Sequence, residues 1–207
     1  MKYQLDEIPY TQFEQLGMDK KTVQNKLNFE DVERLLKGEK TDLKTVQIQT
    51  QNLSFDMDTK FSLRRNPDNS INLMLHPKRQ QMAIKFDLSH DEINRLKTGE
   101  TVLKKGSRTD SPVSLSSEKS PDMYLLQLDK DTKEVMRINT AHLKIPDSIE
   151  DIRLTLEQKD KLRNGEGIEL EKPDKKLNVK LDLNRPQIVK ITASNNIKAT
   201  NTYKFRR

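Results

Sequence analysis

The 207-residue chain contains no cysteine and no tryptophan. The first absence excludes disulfide frameworks, cysteine-based zinc sites and thiol catalysis. The second comes with only 5% aromatic and 32% hydrophobic residues. One large core is therefore not expected, and a thin core divided among small units is. Glycine is scarce as well, at six residues, so each glycine is a candidate for a specific backbone role. No apolar run approaches the roughly 18 residues of a membrane span, and the opening "MKYQLDEIPY" has no apolar signal-peptide core. A soluble cytoplasmic protein without membrane contact is the expectation.

Motifs that carry chemistry are missing too. The sequence has no GxGxxG, P-loop, HExxH or GxSxG. His76, His90 and His142 show no ligand spacing, so solvated or locally bonded histidines are expected rather than metal ligands. The stretch "DKDTKE" lacks the spacing and central glycine of an EF-hand and reads as a hairpin turn. The expectation is a protein that is not an enzyme, with no cofactor, no catalytic residue and no metal site.

What is abundant is charge, at 34% of residues and a net +6. It is segregated: residues 1–86 carry +2, residues 87–151 carry −3 and residues 152–207 carry +7. Within the last segment, residues 172–207 hold 10 basic and 2 acidic residues. Segregated basic charge speaks of partners rather than of fold.

A helix is written three times. Leu35/Gly38, Leu96/Gly99 and Leu162/Gly165 share one spacing, at intervals of 61 and 66 residues. Seven residues before each leucine stands a capping type: Asn28, Ser89 or Thr155. Three residues after that come Asp31, Glu92 or Gln158. Ser89 with Glu92 and Thr155 with Gln158 match the capping box, and Asn28 with Asp31 is an imperfect version. Gly38, Gly99 and Gly165 suit the left-handed position that ends a helix. Helices this short are unstable alone and must pack on something. Strand-like stretches follow each copy: "TVQIQ", "LSFDMD", "KFSLRR" and "INLML"; "TVLKK", "MYLLQL" and "EVMRIN"; "GIELE", "LNVKLDL" and "QIVKITA".

The predicted fold is α+β: three tandem modules, each a short capped helix followed by antiparallel strands, behind a short helical N-terminal segment. That segment, "DEIPYTQFEQLGMDKKTVQNK", reads as two helices broken at Gly17, with Phe13 and Leu16 buried on the first module. The predicted boundaries are 1–86, 87–151 and 152–207. A flexible insertion is expected at 106–122, rich in serine, proline and charge, and a basic tail ends the chain.

The third copy, "LTLEQKDKLRNGEGIELE", resembles the L-T/S-x-E-Q-K-x-x-L-x-x-G repeat of uncharacterised proteins from Bacteroides-type bacteria. These domain-of-unknown-function proteins are often encoded on conjugative transposons and other mobile genetic elements. "EIPYTQFEQLGMDKKTVQ" with "LLKGEKTDL" resembles the N-terminal domain found beside that repeat. The strands after the third copy lack the aromatic-rich start associated with the family. The resemblance implies a mobile-element accessory protein that handles DNA or a DNA-processing complex. The family carries no established catalytic residues.

Basic residues supply the remaining signal. Lys172, Lys175, Lys176, Lys180, Arg185 and Lys190 fall on or beside the last strands. Lys198, Lys204, Arg206 and Arg207 continue the charge, with Tyr203 and Phe205 interleaved. Such a surface can bind phosphates by charge and unpaired bases by stacking. Arg64, Arg65, Lys78 and Arg79 form a secondary patch. The leading expectation is non-sequence-specific contact with DNA or RNA, through the phosphate backbone or single strand. The alternative is a protein–protein adaptor, or an inhibitor of a host or defence protein, that recruits its partner by strand addition. The plain reading of the lysines is that they only keep the chain soluble, and a third reading, a hydrolase or nuclease, would need carboxylates clustered around a metal, which the sequence does not show.

Overall fold

The computed structural model describes residues 2–49, 52–84, 86–106, 122–185 and 188–195. Helices α1 (Tyr10–Glu14) and α2 (Lys20–Lys26) precede the three repeated helices, α3 (Phe29–Lys37), α4 (His90–Thr98) and α5 (Leu156–Arg163). Gly17 breaks α1 from α2 with φ +81°, and Phe13 is buried in the first core with Leu16 packed against it. The interruption at Gly17 is therefore where the sequence puts it.

All three repeated helices start with a complete capping box. The N-cap side chains of Asn28, Ser89 and Thr155 accept from the amides of Asp31, Glu92 and Gln158 at 2.8, 3.3 and 3.1 Å. The return bonds, from each N-cap amide to the third residue, are 3.2, 2.7 and 2.9 Å. The Asn28–Asp31 pair is thus as complete as the others, because the shorter aspartate still reaches. The helices also end alike. Gly38, Gly99 and Gly165 have φ of +79°, +88° and +81°. Their amides bond to Leu35, Leu96 and Leu162, and the next amides, of Glu39, Glu100 and Glu166, bond to Arg34, Arg95 and Lys161. This paired arrangement is a Schellman stop. Leu35, Leu96 and Leu162 are each fully buried. This leucine anchors each helix, and α3 buries Leu36 beside it.

Each sheet is a three-stranded antiparallel meander. The first holds β1 (Lys44–Gln49), β2 (Ser54–Arg65) and β3 (Ile71–Pro77). Here the sequence misleads in one detail, since "LSFDMD" and "KFSLRR" form a single strand. No glycine or proline separates them, and β2 uses Ser54–Thr59 to pair with β1 and Thr59–Arg65 to pair with β3. The second sheet holds β4 (Val102–Lys105), β5 (Met123–Asp129) and β6 (Glu134–Asn139). A two-stranded hairpin follows, β7 (Ser148–Ile149) and β8 (Ile152–Arg153), straddling the expected boundary at residue 151. Its turn residues Glu150 and Asp151 both have positive φ, 45° and 68°, as the twist-matched two-residue hairpin requires. The third sheet holds β9 (Ile168–Glu171), β10 (Lys175–Leu181) and β11 (Val189–Asn195).

The modules are in contact. Strand β5 is buried on both faces and joins them. Leu126 and Leu128 face α4 in a small core with Leu96 and Val102. On the other face Leu125 enters the core of the third module, beside Leu162, Leu177 and Val179. Two residues on, the Gln127 amide donates to Gly99 O at 2.9 Å, and its oxygen accepts from Leu183 N at 2.5 Å. Two residues further, Asp129 meets Lys40 and Lys60 of the first module. The expected insertion lies outside the described residues from 107 to 121. Its flanks meet where Gly106 N donates to Asp122 O at 2.7 Å.

Candidate functional site

Strand alternation sorts the third sheet into two faces. Leu177, Val179 and Leu181 point into the core, and Lys176, Asn178 and Lys180 point out. Four of the six described basic candidates meet carboxylates. Lys172 and Lys175 share Glu150 at 3.0 and 3.1 Å. Their hydrogen bonds, Lys172 first, hold the Glu150 carboxyl below its ordinary value against a small burial effect. Lys176 meets Glu171 at 3.1 Å and Arg185 meets Asp182 at 3.4 Å.

Lys180 and Lys190 differ. They are exposed and directly opposite each other across β10 and β11, and neither has a carboxylate partner among the described residues. The stem of Lys180 lies over Gly167, where a Cβ would sit 3.1 Å from its Cγ and Cε. Gly167 thus gives the stem room on the side away from Lys190. Lys198, Tyr203, Lys204, Phe205, Arg206 and Arg207 lie outside the described residues.

Among the described residues strand β11 is an edge, with β10 on one side only. Ile188 O accepts from Asp182 N at 2.7 Å, so the even-numbered residues of β11 turn their backbone groups toward β10. In an antiparallel ladder the odd-numbered ones, Val189, Ile191 and Ala193, then turn theirs outward. Their side chains share the core face, opposite Leu181, Val179 and Leu177. Yet the core covers them incompletely: Val189 is half-buried, Ile191 is 39% exposed and Ala193 is exposed.

Beside this strip runs an apolar groove of about 500 Å³. Ile145, Pro146 and Ile149 line it together with Ile188, Val189 and Ile191, and Lys144 and Glu150 stand among its lining residues. Glu150, held in place by the β7–β8 turn, is the carboxylate that Lys172 and Lys175 engage. The sequence predicts the strand; the groove depends on where residues 144–150 run, which strand periodicity does not encode.

The secondary patch is dispersed by its partners. Arg65 meets Glu7 at 2.8 Å and lies over the Tyr3 ring, and Lys78 meets Asp58 at 3.2 Å. Arg79 donates its amide to Thr132 O at 2.9 Å, where the first and second modules touch. Arg64 is exposed.

That junction holds the densest polar cluster described. Lys40 Nζ lies 3.2 Å from Asp129 and 2.8 Å from Glu134, and Lys60 Nζ lies 3.0 Å from Asp129 and 2.7 Å from Asp131. His76 Nδ1 meets Glu134 at 2.9 Å while its Nε2 meets Ser62 Oγ at 2.8 Å. Bonding to His76, then to Lys40, pulls the Glu134 carboxyl from 4.5 to about 2, against the effect of burial. Burial pushes Asp129 up and Lys60 down, but their hydrogen bonds and charges outweigh it and hold both ionised. Ser62, His76 and Glu134 have the order of a nucleophile relay. Ser62 nevertheless sits mid-strand on β2, paired with Met74, rather than on the sharp turn that exposes a nucleophilic serine. Glu134 is also bound to Lys40. The cluster reads as a lock between modules. It shows that "DKDTKE" is a turn whose carboxylates take lysines from 69 to 94 residues away. Among the described residues no group of three or more histidines and carboxylates could hold a metal ion, and no helix is long and apolar enough to cross a membrane.

Residues 3–87 match a family described as "Protein of unknown function (DUF4099)". That span covers the N-terminal helices and the first module. No curated protein and no solved structure compared with the chain matches it.

Proposed function

We propose that the chain is a non-catalytic protein-binding module that recruits a partner by strand addition at β11. The observation that carries this reading is the coincidence of a seven-residue strand, unpaired on one side among the described residues, with an apolar groove that its Val189 and Ile191 line. Outward-facing amides and carbonyls supply main-chain hydrogen bonds, and pockets for alternate side chains supply selectivity. Natural sheets usually blunt such edges with short strands, charges or proline. Strand β9, the opposite edge, follows that pattern with four residues, two of them glutamates. Strand β11 carries one charge, Lys190, and it lies on the outer face.

Selecting extended peptides from a random library with the full chain tests this reading, with Ala193→Pro as the control. The Ala193 amide points outward, so proline there removes an edge donor and leaves the ladder to β10 intact. Peptides that bind the parent chain and lose binding to Ala193→Pro support strand addition; peptides indifferent to it refute it.

A second reading has its own observation. Lys180 and Lys190 form a cationic pair with no carboxylate partner among the described residues, and the sequence beyond residue 195 adds Lys198, Lys204, Arg206 and Arg207. Contact with nucleic-acid phosphate through these residues would weaken with salt. The family resemblance of the third copy adds a setting to either reading, an accessory factor of a mobile element acting on a DNA-processing or host protein.

A further inference from the structure

We infer that the strand added to β11 is an acidic one, alternating apolar residues with carboxylates. The inference rests on the strand-addition reading and names the chemistry of the partner.

The argument begins with the two faces of β11. A strand laid along its edge continues the sheet, so its side chains also alternate between faces. On the core side they meet Val189, Ile191 and the wall formed by Ile145, Pro146 and Ile149. That surface is apolar, and small aliphatic side chains satisfy it. On the outer side they meet Lys190 and Thr192, the exposed outward residues of β11.

Lys190 is the deciding residue. Its neighbour on β10 is Lys180, and like charges directly opposite destabilise a ladder. Sheet neighbours on the far side of Lys180 bring no acid directly opposite it, since that place is taken by Gly167, across which its stem lies. Among the described residues the open neighbouring position lies along the unpaired side of β11. A glutamate or aspartate there would sit beside Lys190 and turn a repelling pair into a row of alternating sign.

The rim of the groove agrees. Lys144 lines it, and Glu150 is already shared by Lys172 and Lys175. These four side chains sum to two positive charges, and Lys190 adds a third. A basic strand would meet this rim with repulsion, and a wholly apolar one would leave Lys190 unanswered.

Three fluorescent probes test the inference on the full chain: a peptide of about seven residues alternating isoleucine with glutamate, its isoleucine–lysine counterpart, and an oligothymidylate. Each is titrated against the parent chain, Lys190→Glu and Ala193→Pro, with circular dichroism confirming the fold of both variants. The glutamate peptide should bind the parent, weaken by about tenfold or more with Lys190→Glu, and lose binding with Ala193→Pro. The lysine peptide should gain affinity for Lys190→Glu. Equal binding of both peptides, lost only in Ala193→Pro, would overturn the acidic assignment and leave strand addition standing. Absence of peptide binding, with oligothymidylate bound by the parent and released by Lys190→Glu, would overturn both readings in favour of phosphate. Self-association of the parent chain that Ala193→Pro abolishes would give the edge to a second copy and overturn the acidic partner.

Discussion

Lys40 of the first module and Asp129 of the second stand 3.2 Å apart although 89 residues separate them in sequence. The ammonium also takes Glu134 at 2.8 Å and is only 9% exposed. A buried charge that loses its partner is costly, typically 3–5 kcal/mol. In Lys40→Met each carboxylate keeps one partner, Lys60 for Asp129 and His76 for Glu134. The expected loss is therefore smaller, about 2–3 kcal/mol by urea unfolding. Because the lock joins two modules, the Arg79 amide, bonded to Thr132 O, should exchange with solvent faster in this variant.

Acid should weaken the same lock. The Glu134 carboxyl falls from 4.5 to about 2 in the folded chain, held down first by His76 and then by Lys40. A depressed carboxyl pKa means stability that is present above pH 4.5 and lost as pH falls toward 2. The full contribution is about 3 kcal/mol, and about 2 kcal/mol of it should be gone by pH 3. Urea unfolding of the parent and of Glu134→Gln at pH 6 and pH 3 measures this. The gap between the two proteins should narrow at the lower pH; a gap that stays constant would show that Glu134 does not carry the acid sensitivity.

Gly165 and Gly99 separate backbone cost from packing cost. Both have positive φ, where an L-residue pays about 1–2 kcal/mol. A Cβ on Gly99 would meet the far end of the Lys130 side chain at 2.8 Å, which can move aside. On Gly165 it would meet Thr101 Oγ1 at 2.8 Å and the buried Leu125 Cδ2 at 2.9 Å. Thr101 also donates to Gly165 O at 2.7 Å, so the neighbour cannot yield without losing that bond. Gly99→Ala should cost about 1 kcal/mol and Gly165→Ala about 3 kcal/mol or more. Equal costs would mean that the seam between the second and third modules is looser than these distances imply.

These contacts show which parts of the protein could be read from its sequence. Capping, helix stops and meander strands are local: Ser89 with Glu92, or Gly99 after Leu96, act within a few residues, so pattern reveals them. The buried leucines follow from the same local register. The joining of modules was not legible, because Leu125, Gln127 and Asp129 look like any alternate residues of a strand until another sheet arrives. Neutralisation of the basic patch was hidden for the same reason. Glu150 lies 22 residues before Lys172, and a segmental charge count cannot show that a hairpin turn delivers it there. One link between helix and strand is local. Asp31 and Glu92 each bind a lysine of the following strand, Lys44 at 2.5 Å and Lys104 at 2.8 Å. In the first two copies the order of cap, acid and a lysine 12 or 13 residues further on links helix to strand within the sequence itself.

The last prediction concerns the pairing of Lys180 with Lys190. Surface substitutions usually change stability little, and most changes at structured sites reduce it. Here the opposite sign is expected. Lys190 lies directly opposite a like charge on an exposed face, and threonine is both neutral and better suited to a strand. Lys190→Thr should therefore raise stability by a few tenths to about 1 kcal/mol, read from the urea midpoint at unchanged m-value. The gain should shrink as salt is raised, because screening already relieves the repulsion in the parent chain. Lys190→Thr should at the same time weaken the isoleucine–glutamate peptide, since the cation that answers its carboxylates is gone. Stability rising while binding falls is what separates a lysine kept for a partner from one kept for solubility. A lysine kept for solubility would leave peptide affinity unchanged.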